Sequence, residues 1–243
     1  MIFGLLRVRN EARWIDRCVA SIQPLCQQII VFDDHSTDET PAICARMGAH
    51  VVLSAFGDLD ESRDKDYLLS RLYTYCHPKP GDYALMIDGD EVLEKEGSRK
   101  LSAAIDKNGT VAYMLKILYL WDSETTIRTD GVYGRFERPS LFPLSEEIMT
   151  FRQTGARGHF HCSNVPSQFI GRCRPLDAAV IHLGYRDSDD RIRKYEWYRR
   201  IDGDNPAEDG YRHIVQGDIA QIPAHAKLMH AGPLRLEPLM VAW

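Results

Sequence analysis

Three short apolar runs, separated by two stretches of helical periodicity, open the chain and restrict its fold more than any other feature. Ile2–Val8, Gln28–Phe32 and Ala49–Leu53 have the length of buried strands rather than helices. Between the first two, Arg9-Asn10-Glu11 opens a helix to about Ser21, with Ala12, Ile15, Val19 and Ile22 at helical spacing. Between the second and third, Ser36 followed by Glu39 reads as a capping box for a helix to Met47, which Gly48 closes. The order β-α-β-α-β predicts an α/β fold: a Rossmann-like, mostly parallel sheet with right-handed crossovers and helices on its faces. Ligands of such sheets bind beyond the carboxyl ends of the strands. Arg7–Asn10 and Asp33–Ser36 fall at two of those ends.

A fourth apolar run carries the densest chemistry. Tyr83–Leu93, YALMIDGDEVL, drives Ala84–Ile87 straight into Asp88-Gly89-Asp90-Glu91. Three carboxylates at the end of a buried strand are costly unless a cation neutralises them. Hard oxygen donors suit Mg²⁺ or Mn²⁺, held by one or two carboxylates plus substrate phosphates. Gly89 lets the backbone turn sharply between the aspartates. A lone D-x-D is more often a solvated acidic turn. Here it belongs to the same predicted sheet edge as Arg7–Asn10 and Asp33–Ser36.

Composition narrows the class further. The 243 residues, 44% hydrophobic and 27% charged, allow one large domain. A net charge of −5 argues against nucleic acid or an anionic membrane surface as main partner. The cysteines, Cys18, Cys26, Cys44, Cys76, Cys162 and Cys173, form no C-x-x-C pair, so neither a zinc knuckle nor a dense disulfide framework is expected. The apolar start is broken by Arg7, too early for a secretory or spanning segment. Reduced thiols in a cytoplasmic protein are the expectation.

Farther along, Glu61–Cys76 reads as a helix stopped by the turn cluster His77–Asp82, and Gly97–Ile105 as another, followed by a turn at 107–109. Val111–Leu120 is β-rich. Gly131–Leu144 reads as strand, which Pro139 and Pro143 would confine to a sheet edge. Residues 154–164 are loop-like. Ala178–Leu183 is a short strand, and Arg186–Asp202 a charged helix with Ile192, Tyr195, Tyr198 and Arg199 along one side. The expected division is a domain over 1–202 and an irregular extension, 203–243, packed on it.

With these pieces in order, the chain resembles the family 2 glycosyltransferases of GT-A fold. The likeness rests on LLRVRNEARWIDRCVASI at Leu5–Ile22, IIVFDDHSTDET at Ile29–Thr40, MIDGDEVL at Met86–Leu93 and the late histidine of IHLGY, His182. It implies a nucleotide-binding half over about 1–95 and an acceptor half over about 96–185. It also implies transfer of a sugar, as by a hexosyltransferase, from a nucleotide-diphosphate donor to an acceptor hydroxyl, with inversion. Asp34 resembles the residue that reads the base, in a pocket lined by Arg7 and Asn10, with Arg63 against the base. Asp88 resembles the first D-x-D aspartate, near ribose and metal, Asp90 the direct metal ligand, and His182 the distal one. UDP is the default nucleotide, with GDP and dTDP open, and the acceptor is a glycan, lipid-linked or protein hydroxyl. Lys194 or Arg191, on the helix after His182, would add positive charge at the diphosphate. The plain alternative for both is a solvated helix face.

The chain departs from the family at the catalytic base. GHFHCSNVP stands where an acidic residue is expected, so His161 takes the role, with Glu137, His159 and Asp130 as further candidates. Two rival readings follow: an inactive sugar-nucleotide-binding or scaffold domain, and a nucleotidyltransferase. RVRNEARW has no glycine-rich phosphate loop, which counts against the second. Core packing is the simpler role for Trp14, Trp121, Trp197 and Trp243. His35 belongs to a turn, and a Cys162–His161 hydrolase has no other support.

Overall fold

A computed structural model describes residues 1–105, 109–147, 149–152, 161–202 and 206–243, without the side chains of 206–209. His159, the turn residues 107 and 108, and most of the 154–164 loop lie outside that description.

The predicted β-α-β-α-β start is present as β1 (Ile2–Val8), α1 (Ile15–Ile22), β2 (Ile29–Asp33), α2 (Thr40–Arg46) and β3 (His50–Leu53). Then come α3 (Glu61–Cys76), β4 (Tyr83–Met86), β5 (Glu91–Leu93), α4 (Gly97–Ala104) and β6 (Tyr113–Tyr119). The rest comprises β7 (Thr126–Arg128), β8 (Glu137–Pro143), β9 (Arg174–His182), α5 (Ser188–Asp202) and β10 (Leu236–Pro238). Among the described residues, eight strands form one sheet in the order β3-β2-β1-β4-β8-β6-β9-β5, and β10 pairs with β7 apart from it. The run β3-β2-β1-β4 is parallel, as is β6-β9, while β8 and β5 run against their neighbours. The α/β class and the parallel amino-terminal half thus follow the sequence pattern.

Strand alternation sorts the core. Ile2, Leu6 and Val8 face α1, whose buried Ile15, Cys18, Val19 and Ile22 recur at helical spacing. Phe3 and Leu5 face the other way, onto Leu68, Leu69 and Leu72 of α3. Arg7 shares the α3 face by the same alternation, which is what brings it to Asp64.

Four local expectations change. α1 starts at Ile15, because Glu11–Trp14 form a turn whose Glu11 carbonyl accepts from Trp14 and Ile15. The Ser36–Glu39 capping box does not form: Ser36 Oγ accepts from Asn10 N at 2.9 Å, and Asp38 Oδ1 accepts from Thr40 N at 3.0 Å. Residues 131–134 are a 3₁₀ turn rather than strand. β8 lies inside the sheet, between β4 and β6, despite its prolines. Pro139 sits where the β6–β8 register shifts, and Pro143 ends the strand, so neither removes a regular ladder bond.

The carboxyl-terminal segment packs on the sheet domain. Tyr211, Ile214, Val215, Ile222 and Ala231 bury against Trp121, Tyr133 and Tyr185. Beneath it Arg128 is fully buried, donating to Asp130 through Nε and Nη2 at 2.9 Å each and to the His213 carbonyl at 2.6 Å. Its guanidinium lies 4.7 Å from the Trp121 ring centre and 4.2 Å from that of Tyr133. Gln216 accepts from Arg128 and donates to the carbonyls of Ala224, Ala226 and Gly232. Among the described residues no helix is long and apolar enough to cross a membrane.

Candidate active site

The carboxyl ends of β1, β2 and β4 meet on one side of the sheet. At the first two, Arg7 Nη2 donates to Asp34 Oδ2 at 2.7 Å and Arg7 Nε to Asp64 Oδ2 at 2.9 Å. Arg63 supports Asp64 from the other side through Nη2 at 2.9 Å. It also holds Asp58 Oδ1 at 2.6 Å and stacks 4.1 Å from the Phe56 ring centre. Burial pushes the Asp64 carboxyl up, against the pull of Arg7 and Arg63. Asp33, the first aspartate of the pair, secures the turn by accepting from Ser36 N at 3.0 Å. The second, Asp34, is buried and engaged by Arg7.

Asn10 joins the two strand ends. Its backbone is left-handed, with φ 56°, which asparagine tolerates better than most residues. Its Oδ1 accepts from Thr37 N at 2.8 Å. This ties loop to loop; nothing in it marks a nucleotide contact. His35 is likewise left-handed, and its Nε2 meets the Phe56 carbonyl at 2.5 Å, in keeping with a turn role.

The acidic turn leaves β4 and re-enters the sheet as β5 at the far edge, antiparallel to β9. This places Asp90 beside His182, the last residue of β9, with Oδ2 to Nε2 at 3.4 Å. Asp90 Oδ2 also accepts from Lys194 Nζ of α5. Burial alone would raise the Asp90 carboxyl; His182 and Lys194 outweigh it and hold the group well below the ordinary range. Burial lowers His182 to about 4, leaving a neutral imidazole near pH 7. Asp88 turns to Arg138 of β8, whose Nη1 donates to its Oδ2 at 2.7 Å. The other arm of Arg138 reaches Glu91 Oε2, which also accepts from Asp88 N at 2.9 Å. Burial raises Glu91 to about 7 and, together with Asp90, Glu11 to about 8.

These side chains fit a divalent cation in part. Asp90 and His182 bring a carboxylate oxygen and a neutral imidazole to one place, a donor set that suits Mn²⁺. His182 Nδ1 is buried without a hydrogen-bond partner. Asp88, however, is turned to Arg138, and among the described residues no three His, Cys, Asp or Glu side chains are grouped to hold an ion.

The candidate bases scatter. His161 is exposed, with φ 57°, and its ring lies 5.6 Å from Tyr198 and 5.7 Å from Tyr211. Tyr198 follows Lys194 by one helical turn, so His161 borders the face of α5 that carries Lys194. Glu137 is exposed on β8, and strand alternation points it away from the face of Arg138. Asp130 is committed to Arg128. Arg191 is neither solvated nor beside the acidic turn: it is buried, holding Asp218 at 2.6 Å, Asp122 at 2.8 Å and the Tyr185 carbonyl at 2.8 Å. Trp14 and Trp121 are buried, as expected; Trp197 and Trp243 are half-buried. Cys162 is pushed up to about 11 by burial, against the character of a thiol nucleophile. All six cysteines are free thiols.

Sequence reasoning missed Arg138, Glu11 and the buried role of Glu91. The local signal for Arg138 was a guanidinium just ahead of the buried run Ser140–Pro143 in ERPSLFP.

No family model matches the chain. It is 29% identical over 203 residues to an uncharacterised glycosyltransferase of Rickettsia bellii, covering 81% of this chain and 64% of that protein. It is 25% identical, also over 203 residues, to another from Rickettsia conorii, covering 81% and 67%. A TPR repeat-containing protein of Synechococcus elongatus matches at 31% over 160 residues, covering 60% of this chain and 38% of its own length. The chain thus spans less than two thirds of the first two of these relatives to be matched, by 64% and 38%. Among solved structures, mannosyl-3-phosphoglycerate synthase from Rubrobacter xylanophilus overlaps 51% of this chain and 42% of its own at 24% identity, TM-score 0.38. Glucosyl-3-phosphoglycerate synthase from Mycobacterium tuberculosis, solved with Mn²⁺ and UDP, overlaps 49% and 44% at 24% identity, TM-score 0.34. Over about four fifths of its length the chain is thus similar to proteins named as uncharacterised glycosyltransferases.

Proposed function

We infer that the chain transfers a glycosyl group, with inversion, from a nucleoside-diphosphate donor to an acceptor hydroxyl, using Mn²⁺ or Mg²⁺. The observation that carries this reading is the meeting, on one side of the sheet, of the Arg7–Asp34 pair with the Asp88–Asp90 turn and His182. The first offers a carboxylate and guanidinium to a base, the second a phosphate-side site for a cation. Asp34 and Arg7 would read the base, with Arg63 at its margin. Asp90 and His182, joined by Asp88, would hold the cation. Residues 1–95 then serve the donor and 96–185 the acceptor.

In the reaction the acceptor oxygen attacks the anomeric carbon as the bond to the diphosphate breaks, and a base takes the hydroxyl proton. A divalent cation supplies Lewis-acid neutralisation of the leaving diphosphate. Of the candidate bases, His161 is favoured over Glu137, since it borders the Lys194 face of α5. UDP is the favoured nucleotide. The rival reading is a donor-binding module without transfer, favoured by the way Arg138 and Lys194 already neutralise the acidic turn.

A thermal-shift series with UDP, GDP, dTDP and CMP, each with and without Mn²⁺, tests the donor site. Stabilisation follows RT ln(1 + [L]/Kd), about 2.7 kcal/mol at a hundredfold excess over Kd. A cation-dependent rise with one diphosphate is expected; no rise with any of them overturns the reading. Product from a labelled donor, lost in Asp90→Ala, then separates transfer from binding alone.

A further inference from the structure

We propose that Lys194 is an internal counter-ion of Asp90 that must leave before a divalent cation can bind, and that the donor diphosphate draws it away, so that cation and nucleotide bind as a coupled pair. This rests on the donor-site reading above and adds to it the order in which the site loads.

One oxygen atom is claimed twice. Asp90 Oδ2 receives Lys194 Nζ and lies 3.4 Å from His182 Nε2. It is therefore the atom that a cation ligated by Asp90 and His182 would use. A lysine ammonium has three donors and no acceptor, so it cannot share in ligating a metal. An ammonium and a dication cannot occupy the same side of one carboxylate oxygen.

The surroundings leave little slack for compromise. A Cβ built on Gly184 would lie 2.0 Å from Asp90 Oδ2 and 2.4 Å from Lys194 Nζ, so the pair rests directly on the Gly184 backbone. The Asp90 main chain is fixed by its carbonyl, which accepts from Leu183 N at 2.8 Å. Asp90 is buried and cannot rotate into solvent. Lys194 can move: its four-carbon stem is flexible, its ammonium is a point charge without directional demands, and its side chain keeps 15% of its surface open to solvent on α5. Its ring neighbour Tyr185, 5.5 Å away, leaves the ammonium oriented without holding it.

Displacement needs a new anionic partner. Glu11, a further carboxylate facing Lys194, is already in place beside it and does not draw the ammonium from Asp90. A diphosphate brought in beside the acidic turn supplies a better one, at the moment when the cation takes Asp90. Each ligand thereby removes the obstacle to the other, a reciprocal coupling of two binding events.

Calorimetric titration of Mn²⁺ alone, UDP alone, and Mn²⁺ in saturating UDP tests this on the wild type, Lys194→Met and Lys194→Gln. The glutamine keeps an N–H donor for Asp90 without the charge, so the test stands even if the methionine variant does not fold. Mn²⁺ alone should bind at least one variant tenfold tighter than wild type, about 1.4 kcal/mol. That advantage should shrink when UDP is present, and UDP alone should bind the variants more weakly. Equal Mn²⁺ affinity in all folded forms overturns the proposal while leaving the donor site intact. So does a wild-type UDP affinity that is the same with and without Mn²⁺, since the two ligands would then not be coupled. Failure of every form to bind UDP or Mn²⁺ overturns the donor site itself, and the coupling with it.

Discussion

Arg138 links Asp88 and Glu91: its guanidinium spans from β8 to the Asp88 carboxylate at 2.7 Å and to the fully buried Glu91. The carboxylates after β4 therefore meet fixed charge from the chain's own strands and helices. Arg138 serves the first and last acids of the turn, Asp88 and Glu91, and Lys194 the one between them, Asp90. The two cations differ in kind. A forked guanidinium clamps two acids at once, whereas an ammonium holds one and is free to change partners.

Replacing Arg138 by Met leaves Glu91 buried without its guanidinium. Glu91 already sits at about 7, raised by burial against the pull of Arg138, and loss of that pull raises it further. A raised carboxyl favours the protonated folded state, and Glu91 is protonated in both folded forms below about 7, so the deficit relative to wild type opens as pH climbs above that value. We expect a loss of about 3 kcal/mol at pH 8 by urea unfolding, and a smaller one at pH 6. Glu91→Gln in the Arg138→Met background should recover most of it.

Gly184→Ala introduces a methyl where Asp90 and Lys194 lie. The lysine tip can yield, but the Asp90 carboxylate is held by its strand. A cost of about 1–3 kcal/mol follows from overpacking. Loss of UDP·Mn²⁺ binding should accompany it, read by the same thermal shift.

Arg128→Met removes the charge that Asp130, the His213 carbonyl and Gln216 share. Asp130 is then a buried carboxylate without its partner, at a cost of about 3–5 kcal/mol. The effect should be local first. Limited proteolysis is expected to release fragments from 206–243 before the sheet domain is cut, and uniform cutting would contradict this anchoring role.

His213 is lowered to about 3, by burial first and then by His230 and Arg128. A histidine whose folded value lies below the unfolded 6.5 is bound neutral, so the unfolded chain takes up more protons between those values. Its contribution is complete above pH 6.5 and fades as pH falls toward 3. Tyr133 Oη lies 2.7 Å from His213 Nδ1, and His213→Gln preserves a partner for it. The melting temperature of His213→Gln should fall less than that of wild type between pH 6.5 and 4.

Local pattern carried most of the fold. Apolar runs gave β1 to β4 nearly to the residue, α3 was bounded correctly at Glu61 and Cys76, and element order predicted the shared sheet edge. What escaped was non-local. Ser36 looks like a helix cap in its own neighbourhood, yet Asn10 claims its hydroxyl from 26 positions away. Pro139 looks like an edge marker because the register shift beside it exists only in the pairing of β8 with β6. At the candidate site, the need of buried carboxylates for positive charge was legible from Asp88-Gly89-Asp90-Glu91. That Arg138 answers it from 50 positions away was not; Lys194 was expected near the diphosphate, but its pairing with Asp90 itself, 104 positions away, was not read.

The route of the chain through the acidic turn bears on where motion can arise. β4 is bonded to β1 and β8, β5 to β9, and the turn between them is fastened again by Cys18 Sγ to the Asp88 carbonyl. It is a bridge with both abutments set in the same sheet. Whatever approaches this turn therefore meets an edge that the sheet holds from both sides.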